Sequence, residues 1–257
     1  MTPGLLLGLA AVLSTFFLLL WLAAVRSRDA SHVDVGWALG LGFLGVAASL
    51  TGPGEPARRA LAGTMAAAWS LRLAWHLYTD RVRGKSEDGR YATLRAQWGA
   101  KADRNFFFFF QIQGLLDLLL ASSYFAACAR SGPLDALDAL GAILWMVALA
   151  GESSADRALA KFRAEPSNKG KVCREGLWAW SRHPNYFFEW LVWLSFAALA
   201  PGDWRAWIAP PLMLYFLLRV TGIPATEAQA LRSRGDAYRR YQEEVSMLIP
   251  LPPRRSA

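Results

Sequence analysis

The sequence predicts an all-α, polytopic integral membrane protein of about seven transmembrane helices, with cytoplasmic loops and a C-terminal amphipathic helix. Two observations carry this prediction. Hydrophobic residues make up 54% of the 257 residues, and several stretches reach the roughly 20 apolar residues that cross a bilayer. The Lys and Arg residues are concentrated in segments between these stretches, as expected for loops on the cytoplasmic side.

The predicted spans form a single integral membrane domain over residues 1–257. They lie near 4–25, 32–50, 60–79, 106–128, 134–151, 185–200 and 204–222. The first stretch lacks a basic n-region, and its apolar part is too long for the h-region of a signal peptide. We therefore interpret it as a membrane helix.

The basic residues predict the orientation. Segments 26–31, 80–104, 152–184 and 223–257 together hold 22 of the 28 Lys and Arg residues. The positive-inside rule then places these loops and the C-terminus of this multi-pass protein in the cytoplasm and the N-terminus outside. The net charge of +8 follows from this topology. Without a soluble binding module it does not indicate nucleic acid as a partner.

Several glycines share the second predicted span. Gly40, Gly42 and Gly45 match the Gly-x-Gly-x-x-Gly pattern of a dinucleotide fingerprint, but they lie inside an apolar helix rather than between a strand and a helix. Together with Gly36 they predict close helix approach instead.

The most informative segment is residues 176–189. It contains a glycine turn, a basic pair, a proline suited to the start of a helix, and an apolar run that opens with polar residues. Cations beside a helix N-terminus indicate an anion-binding site. The alternative is an interfacial anchor whose Arg and Tyr side chains reach the headgroups. The polar residues concerned are Arg182, His183, Asn185, Tyr186 and Glu189.

Charged side chains also lie inside other predicted spans, where they are costly unless paired or hydrated. Asp34 stands at the cytoplasmic entry of the second span, and Arg72 and His76 lie four residues apart on one face of the third. Asp34 and His76 are the catalytic candidates, with a packing role as the alternative for His76. For Asp117 we expect a pairing with Arg219 or with a Ser or Thr hydroxyl.

Two cytoplasmic segments add charge, and each has two interpretations. The first holds Glu152, Asp156, Arg163, Asn168, Lys169 and Lys171. It is typical either of salt bridges on a surface helix or of a site where a carboxylate binds a ribose hydroxyl and cations bind phosphates. The second, residues 226–244, is an amphipathic helix on the membrane surface or a flap over a pocket mouth, with Glu227, Tyr238 and Tyr241 as contacts.

Taken together, these motifs resemble the steroid 5α-reductase family over about residues 30–250. The resemblance rests on Glu152, Asp156 and Arg163, on Asn168-Lys169-Gly170, Gly176-Leu177-Trp178 and Ser181-Arg182-His183-Pro184-Asn185-Tyr186, and on Glu189. Asp34-Val35-Gly36-Trp37 and Glu87-Asp88-Gly89-Arg90-Tyr91 resemble its bacterial branch, which implies a location in a bacterial inner (cytoplasmic) membrane. The family implies a membrane oxidoreductase that uses NADPH to reduce an activated C=C bond of a lipophilic substrate, such as a steroid-like, isoprenoid or other lipid enone.

The resemblance also implies roles for individual residues, with the cofactor held in the half at about 140–250. The predicted cofactor-binding residues are Arg72, Arg83, Asp156, Arg163, Asn168, Lys169, Lys171, Arg182, His183, Asn185, Tyr186, Glu189, Glu227, Tyr238 and Tyr241. Reduction of an enone builds negative charge on its carbonyl oxygen. Asp34, kept protonated by apolar surroundings, is the predicted donor. Trp37 and Trp69 are assigned to the substrate. Trp69 replaces the tyrosine of steroid reductases, which argues against a steroid.

Two alternatives remain. Isoprenylcysteine and phospholipid methyltransferases share an Arg-His-Pro-x-Tyr turn and a tail like Glu227, Leu231, Tyr238, Tyr241 and Ile249-Pro250, and they bind S-adenosylmethionine. The phosphate-directed cations favour NADPH over that cofactor, which carries no phosphate. The second alternative is a non-enzymatic membrane scaffold. With three His and two Cys and no cluster at ligand spacing, no metal site is predicted.

Overall fold

The computed structural model describes residues 2–254, and within that range the chain is helical with no strand. Short 3₁₀ and π turns, among them Gly176–Ala179 and Phe216–Val220, join the α-helices. The α-helices are α1 (Pro3–Ser27), α2 (His32–Thr51), α3 (Pro56–Leu77), α4 (Gly89–Trp98), α5 (Ala102–Leu120), α6 (Ser122–Ala127), α7 (Ala136–Ala164), α8 (Pro184–Leu199), α9 (Ala209–Tyr215), α10 (Ile223–Arg234) and α11 (Asp236–Glu244).

Five helical segments of the described chain are long and apolar enough to cross a membrane. They are Pro3–Ser27, His32–Thr51, Gly89–Ala127, Ala136–Ala164 and Trp204–Arg234. The prediction of an all-helical membrane protein is therefore confirmed. The other two predicted spans coincide with α3 and α8, which are helical but are not among the five. The count of seven spans and the orientation stay predictions.

The chain divides into two compact units. One comprises the residues up to Ala139 together with Phe196–Ala209, and the other comprises Leu140–Ser195 together with the residues from Pro210 onward. In the first unit, α2 packs along α3 and also contacts α1, α5 and α6. The second unit holds most of α7 and α8, and the whole of α10 and α11.

Glycines of α2 allow the close helix contacts of the first unit, as predicted. A Cβ atom at Gly42 would collide with the Ser70 hydroxyl of α3, and the same hydroxyl donates to the Ala38 carbonyl oxygen at 2.6 Å. A Cβ atom at Gly40 would collide with Asp117 Oδ2. Only glycine leaves room for these neighbours. The glycine stripe of α2 (Gly36, Gly40, Gly42 and Gly45) therefore serves close helix packing.

Asp117 itself corrects a prediction. Its side chain is fully buried against Gly40, and neither carboxyl oxygen has a hydrogen-bond partner among the described residues. The expected pairing with Arg219 or a hydroxyl group is therefore wrong. A buried carboxyl group without a partner is costly, and the glycine contact shows why no partner reaches it, because a bare backbone occupies that side.

A buried arginine joins distant segments of the first unit. Arg58, at the start of α3, is fully buried and bonds both oxygens of Asp138, from Nε at 2.6 Å and from Nη2 at 2.7 Å. Its guanidinium group also donates to the carbonyl oxygens of Arg130 at 3.0 Å, Gly132 at 3.1 Å and Pro133 at 2.8 Å. A guanidinium group has five N–H donors. One side chain can therefore hydrogen-bond several backbone carbonyl oxygens of the loop before α7 as well as the Asp138 carboxylate.

Candidate functional site

The segment from Gly176 to Ser181 docks on α7 in the second unit. Gly176 has a φ of +55°, a conformation that glycine adopts without strain, and it starts the 3₁₀ turn Gly176–Ala179. The Trp178 indole N–H donates to the Ala155 carbonyl oxygen of α7 at 2.8 Å, and Trp178, Ala155 and Cys173 form one buried cluster. Cys173 is a free thiol whose pKa is raised by burial.

Arg182 bonds to the C-terminal part of the unit. Its Nε atom lies 2.7 Å from Glu227 Oε1 in α10, and its Nη1 atom donates to the carbonyl oxygens of Gln242 at 2.8 Å and Val245 at 2.9 Å. The Arg182 and Glu227 side chains are only 10% and 15% exposed. Both were predicted to bind the cofactor. In the structure these two side chains form an ion pair with each other. Their first role is therefore to hold α10 and α11 against residues 176–182.

His183 and Tyr186 form the next layer. Their rings stack with centroids 5.4 Å apart and planes 5° apart, and His183 Nε2 lies 3.2 Å from Glu227 Oε1. The Tyr186 hydroxyl lies 3.3 Å from Thr226 Oγ1. His183 is 2% exposed, and burial lowers its pKa, so it is a neutral, packed ring. His183 and Tyr186 were both predicted to bind the cofactor. His183 has almost no surface open to a ligand, whereas Tyr186 keeps a half-exposed face.

Asn185 and Asp156 come together as the sequence predicted. The Asn185 side-chain amide donates to Asp156 Oδ1 at 3.3 Å, which connects the first turn of α8 to α7. Asp156 is buried, and Asn185 Oδ1 is a buried acceptor without a hydrogen-bond partner in the described chain. One turn further along α8, Glu189 is half-buried. This pair therefore offers a bound molecule an unused acceptor beside a carboxylate.

A basic cleft of about 290 Å³ lies where α7 ends. Four cations line it, Arg163, Lys169, Lys171 and Arg234, together with a single acid, Glu165. The Asn168 side-chain amide donates to the Phe162 carbonyl oxygen at 3.1 Å, and Arg234 Nε donates to the Lys171 carbonyl oxygen at 2.9 Å. These bonds shape the loop, and the excess of cations suits a phosphorylated ligand.

The segment predicted as an amphipathic helix or a flap is two helices, α10 and α11, with a buried side. Tyr238 and Tyr241 belong to a buried cluster with Ala230 and Val245. The Tyr241 hydroxyl donates to the Trp178 carbonyl oxygen at 2.5 Å, and burial raises its pKa. Tyr238 and Tyr241 are therefore packing residues that hold α11 against the Gly176–Ser181 segment, not groups on a mobile flap.

The candidates of the first unit centre on Asp34. Its Oδ2 atom lies 2.7 Å from Arg81 Nη1 and 2.6 Å from Arg90 Nη2, and the Tyr91 hydroxyl donates to Oδ1 at 2.5 Å. A carboxylate that faces two guanidinium groups and a phenol hydroxyl is an ionised acceptor. The prediction of a protonated Asp34 that donates to a carbonyl oxygen is therefore wrong. Asp34 instead joins α2 to the 80–91 segment.

The remaining candidates of that unit are placed as follows. Trp37 and Trp69 are in edge contact, with ring centroids 6.2 Å apart, and Trp69 is fully buried. Arg72 and His76 are half-buried on α3, and Arg83 is exposed. Trp69 is thus a core residue, and substrate contact remains a prediction for Trp37.

A family model described as "Protein of unknown function (DUF1295)" matches residues 20–245. The chain belongs to this family. No curated protein matches the chain, and no solved structure does. The match includes every candidate residue named above.

Within this DUF1295 chain, sequence reasoning missed several site residues. Arg234 lines the basic cleft, and the Gln242 side chain donates to Glu227 Oε2 at 2.8 Å. Arg81 and Arg90 pair with Asp34. The sequence signal for Arg81 and Arg234 was membership of basic segments, which the positive-inside rule explains equally well. Arg90 also belongs to the Glu87–Tyr91 motif, but that motif does not show that it pairs with Asp34.

Proposed function

We propose that this protein is an NADPH-dependent membrane reductase of an activated C=C bond in a lipophilic substrate, as its resemblance to the steroid 5α-reductase family implies. The observation that carries the proposal is the basic cleft of the second unit. It combines three predicted cofactor residues, Arg163, Lys169 and Lys171, with Arg234.

The charge of this cleft favours NADPH over S-adenosylmethionine. Four cations face one carboxylate, Glu165. NADPH carries a pyrophosphate and a 2′-phosphate, which Arg and Lys side chains bind through charge-assisted hydrogen bonds. S-adenosylmethionine has no phosphate and is itself cationic at sulfur, so this cleft would repel it.

A second feature fits the same cofactor. The Asn185 Oδ1 atom is buried and lacks a partner in the described chain, next to the Asp156 carboxylate. A hydroxyl or amide N–H group of a dinucleotide would satisfy the Asn185 acceptor. NADPH supplies a hydride when bound. The chain's own part is to orient the cofactor through these groups and to exclude water.

The contacts of Asp34 change the catalytic assignment. Because Asp34 is an ionised acceptor of Arg81 and Arg90, it has no proton to give to an enone oxygen. His76, half-buried on α3, remains the predicted catalytic group. The inner-membrane location with a cytoplasmic C-terminus and the seven spans belong to the same proposal.

The test is ligand-induced stabilisation of purified protein with NADPH, NADH and S-adenosylmethionine. At 100 times Kd, binding to the native state adds about 2.7 kcal/mol, which raises Tm by about 5–11 °C for a chain of this size. The test variant is Arg163→Gln/Lys169→Gln, which removes two cleft cations. The matched control is Arg239→Gln, an exposed arginine of α11 outside the cleft lining.

Each outcome is decisive. We expect a shift with NADPH that exceeds the shift with NADH, that is lost in the cleft variant, and that persists in the control. Equal shifts with both nucleotides, unchanged by the cleft variant, would refute the cleft as the phosphate site. A shift with S-adenosylmethionine alone would identify a lipid methyltransferase, and no shift with any of the three would favour the non-enzymatic scaffold.

A further inference from the structure

An exposed apolar patch lies at the C-terminal end of the second unit. It consists of Trp180, Met247, Ile249 and Leu251, which are 47%, 41%, 53% and 51% exposed. Between these tail residues, Leu248 is buried. Large apolar side chains that cluster on a surface indicate a binding surface rather than scattered exposure.

Hydrogen bonds hold this patch in place. The Arg182 backbone N–H donates to the Ser246 carbonyl oxygen at 2.8 Å, and the Leu251 N–H donates to the Trp180 carbonyl oxygen at 3.0 Å. Between them the Ser181 hydroxyl donates to the Leu248 carbonyl oxygen at 2.7 Å. The tail is therefore fixed along residues 180–182, and its exposed side chains lie beside Trp180.

The level of the patch relative to a membrane follows from α7. The outward side of this helix is apolar at Ile143 and Val147, and it is polar at Arg157 and Lys161. Such a change marks the position where a transmembrane helix leaves the hydrocarbon core. Ala155 lies between the apolar Val147 and the polar Arg157 along α7, and the Trp178 side chain bonds to it. The turn that carries Trp180 therefore sits at the bilayer surface.

The last candidate span gives the same level. Its exposed side is apolar at Tyr215, carries the exposed Arg219 next to the exposed Val220, and is polar from Thr226 onward, so the change of polarity begins near residue 219. Glu227 follows Val220 by seven residues, two of which (Thr221 and Gly222) are not helical, so the two residues lie at most about 15 Å apart along the chain. Glu227 pairs with Arg182, which bonds the tail. Two separate helices therefore place the tail at the boundary between hydrocarbon and water.

We propose that Trp180, Met247, Ile249 and Leu251 form a membrane-interface anchor that inserts into the headgroup–acyl boundary of the bilayer. Trp is enriched at this depth because its ring is apolar and its N–H is polar. The exposed Arg254 follows the patch. A cation next to an apolar surface complements anionic lipid headgroups, which favours phospholipid over a protein partner. This anchor does not depend on the proposed reductase activity.

Spin-label accessibility tests the depth of the patch directly. In a background with Cys128 and Cys173 replaced by alanine, a nitroxide is attached at Ile249→Cys, with Arg240→Cys on the exposed polar side of α11 as the matched control. The protein is placed in nanodiscs of phosphatidylcholine and phosphatidylglycerol. Collision rates are then measured with oxygen, which partitions into lipid, and with a neutral nickel chelate, which stays in water.

We expect an oxygen-to-nickel collision ratio at residue 249 that is at least about fivefold above the ratio at residue 240. Equal ratios would place the patch in water and overturn the proposal. Low collision rates with both reagents at 249 would mean that protein, such as a second copy of the chain, covers the patch, and would also overturn it. A label at Leu251→Cys gives an independent reading if the Ile249 variant does not fold, and folding is checked by its Tm.

Discussion

Replacing Glu227 by glutamine tests whether the C-terminal helices are fastened through the Arg182 ion pair. The substitution keeps the shape of the side chain but removes its charge. Oε1 accepts from Arg182 Nε at 2.7 Å and lies 3.2 Å from His183 Nε2, and Oε2 accepts from Gln242 at 2.8 Å. Glu227→Gln therefore leaves Arg182 without a counter-charge in a setting where its side chain is 10% exposed.

The expected loss is about 3 kcal/mol, the lower end of the range for breaking a buried ion pair, because both side chains keep some contact with solvent. For a chain of this size that loss lowers Tm by about 6–12 °C. The assay is thermal unfolding in detergent, followed by intrinsic tryptophan fluorescence. Limited proteolysis in parallel should show faster cleavage in α10 and α11.

The control for this experiment is Arg239→Gln. Arg239 pairs with Asp236 at 2.9 Å, but the two side chains are 69% and 84% exposed. An exposed pair of this kind contributes less than about 1 kcal/mol, so Tm should move by no more than about 2–4 °C. If Glu227→Gln unfolds within the same few degrees as Arg239→Gln, the ion pair does not fasten the helices and the reasoning fails.

Three further predictions concern other contacts. Gly40→Ala should lower the free energy of unfolding by about 1–3 kcal/mol, because the added methyl group overpacks against Asp117 Oδ2. Adding Asp117→Ala should recover at least about 1 kcal/mol of that loss. Additive losses in the double variant would contradict the contact. Because burial lowers the pKa of His183, the unfolded state takes up a proton first as pH falls below about 6.5. The free energy of unfolding should then drop by up to about 1.4 kcal/mol per pH unit until the pKa of the folded state is reached. A plot of Tm against pH from 5 to 8 should be flatter for His183→Gln than for the unchanged protein. Parallel plots would count against a buried neutral ring. Asp34→Asn removes the counter-charge of Arg81 and Arg90 and should cost about 1–3 kcal/mol; an unchanged Tm with lost activity would restore a catalytic role.

The membrane class and the helices were predictable because apolar length is a direct physical requirement for crossing a bilayer. The glycine stripe of α2 was predictable for a similar reason, since small residues permit close packing whatever the partner. Asn185 and Asp156, both predicted cofactor residues, are in contact, although they belong to different helices and lie 29 residues apart in the sequence.

The roles of the charged residues were less predictable. Arg182 and Asp34 were expected to face ligands, yet their partners Glu227, Arg81 and Arg90 lie 45, 47 and 56 residues away in the sequence. No local pattern reveals a partner at that distance. A single sequence also cannot distinguish a cation that sets topology from one that lines a cleft, which is why Arg234 was missed.

The buried guanidinium group of Arg58 constrains the order in which the first unit is assembled. Its acceptors lie 72–80 residues further along the chain, so ribosomal synthesis delivers the donor long before any of them. Until Asp138 has emerged, Arg58 must stay hydrated at the membrane surface, because an arginine without partners is unstable in lipid. The guanidinium group of Arg58 can therefore be buried with its partners only after the intervening helices have been synthesised. A chain arrested before residue 138 would hold a complete α3 (Pro56–Leu77) whose arginine lacks its carboxylate partner.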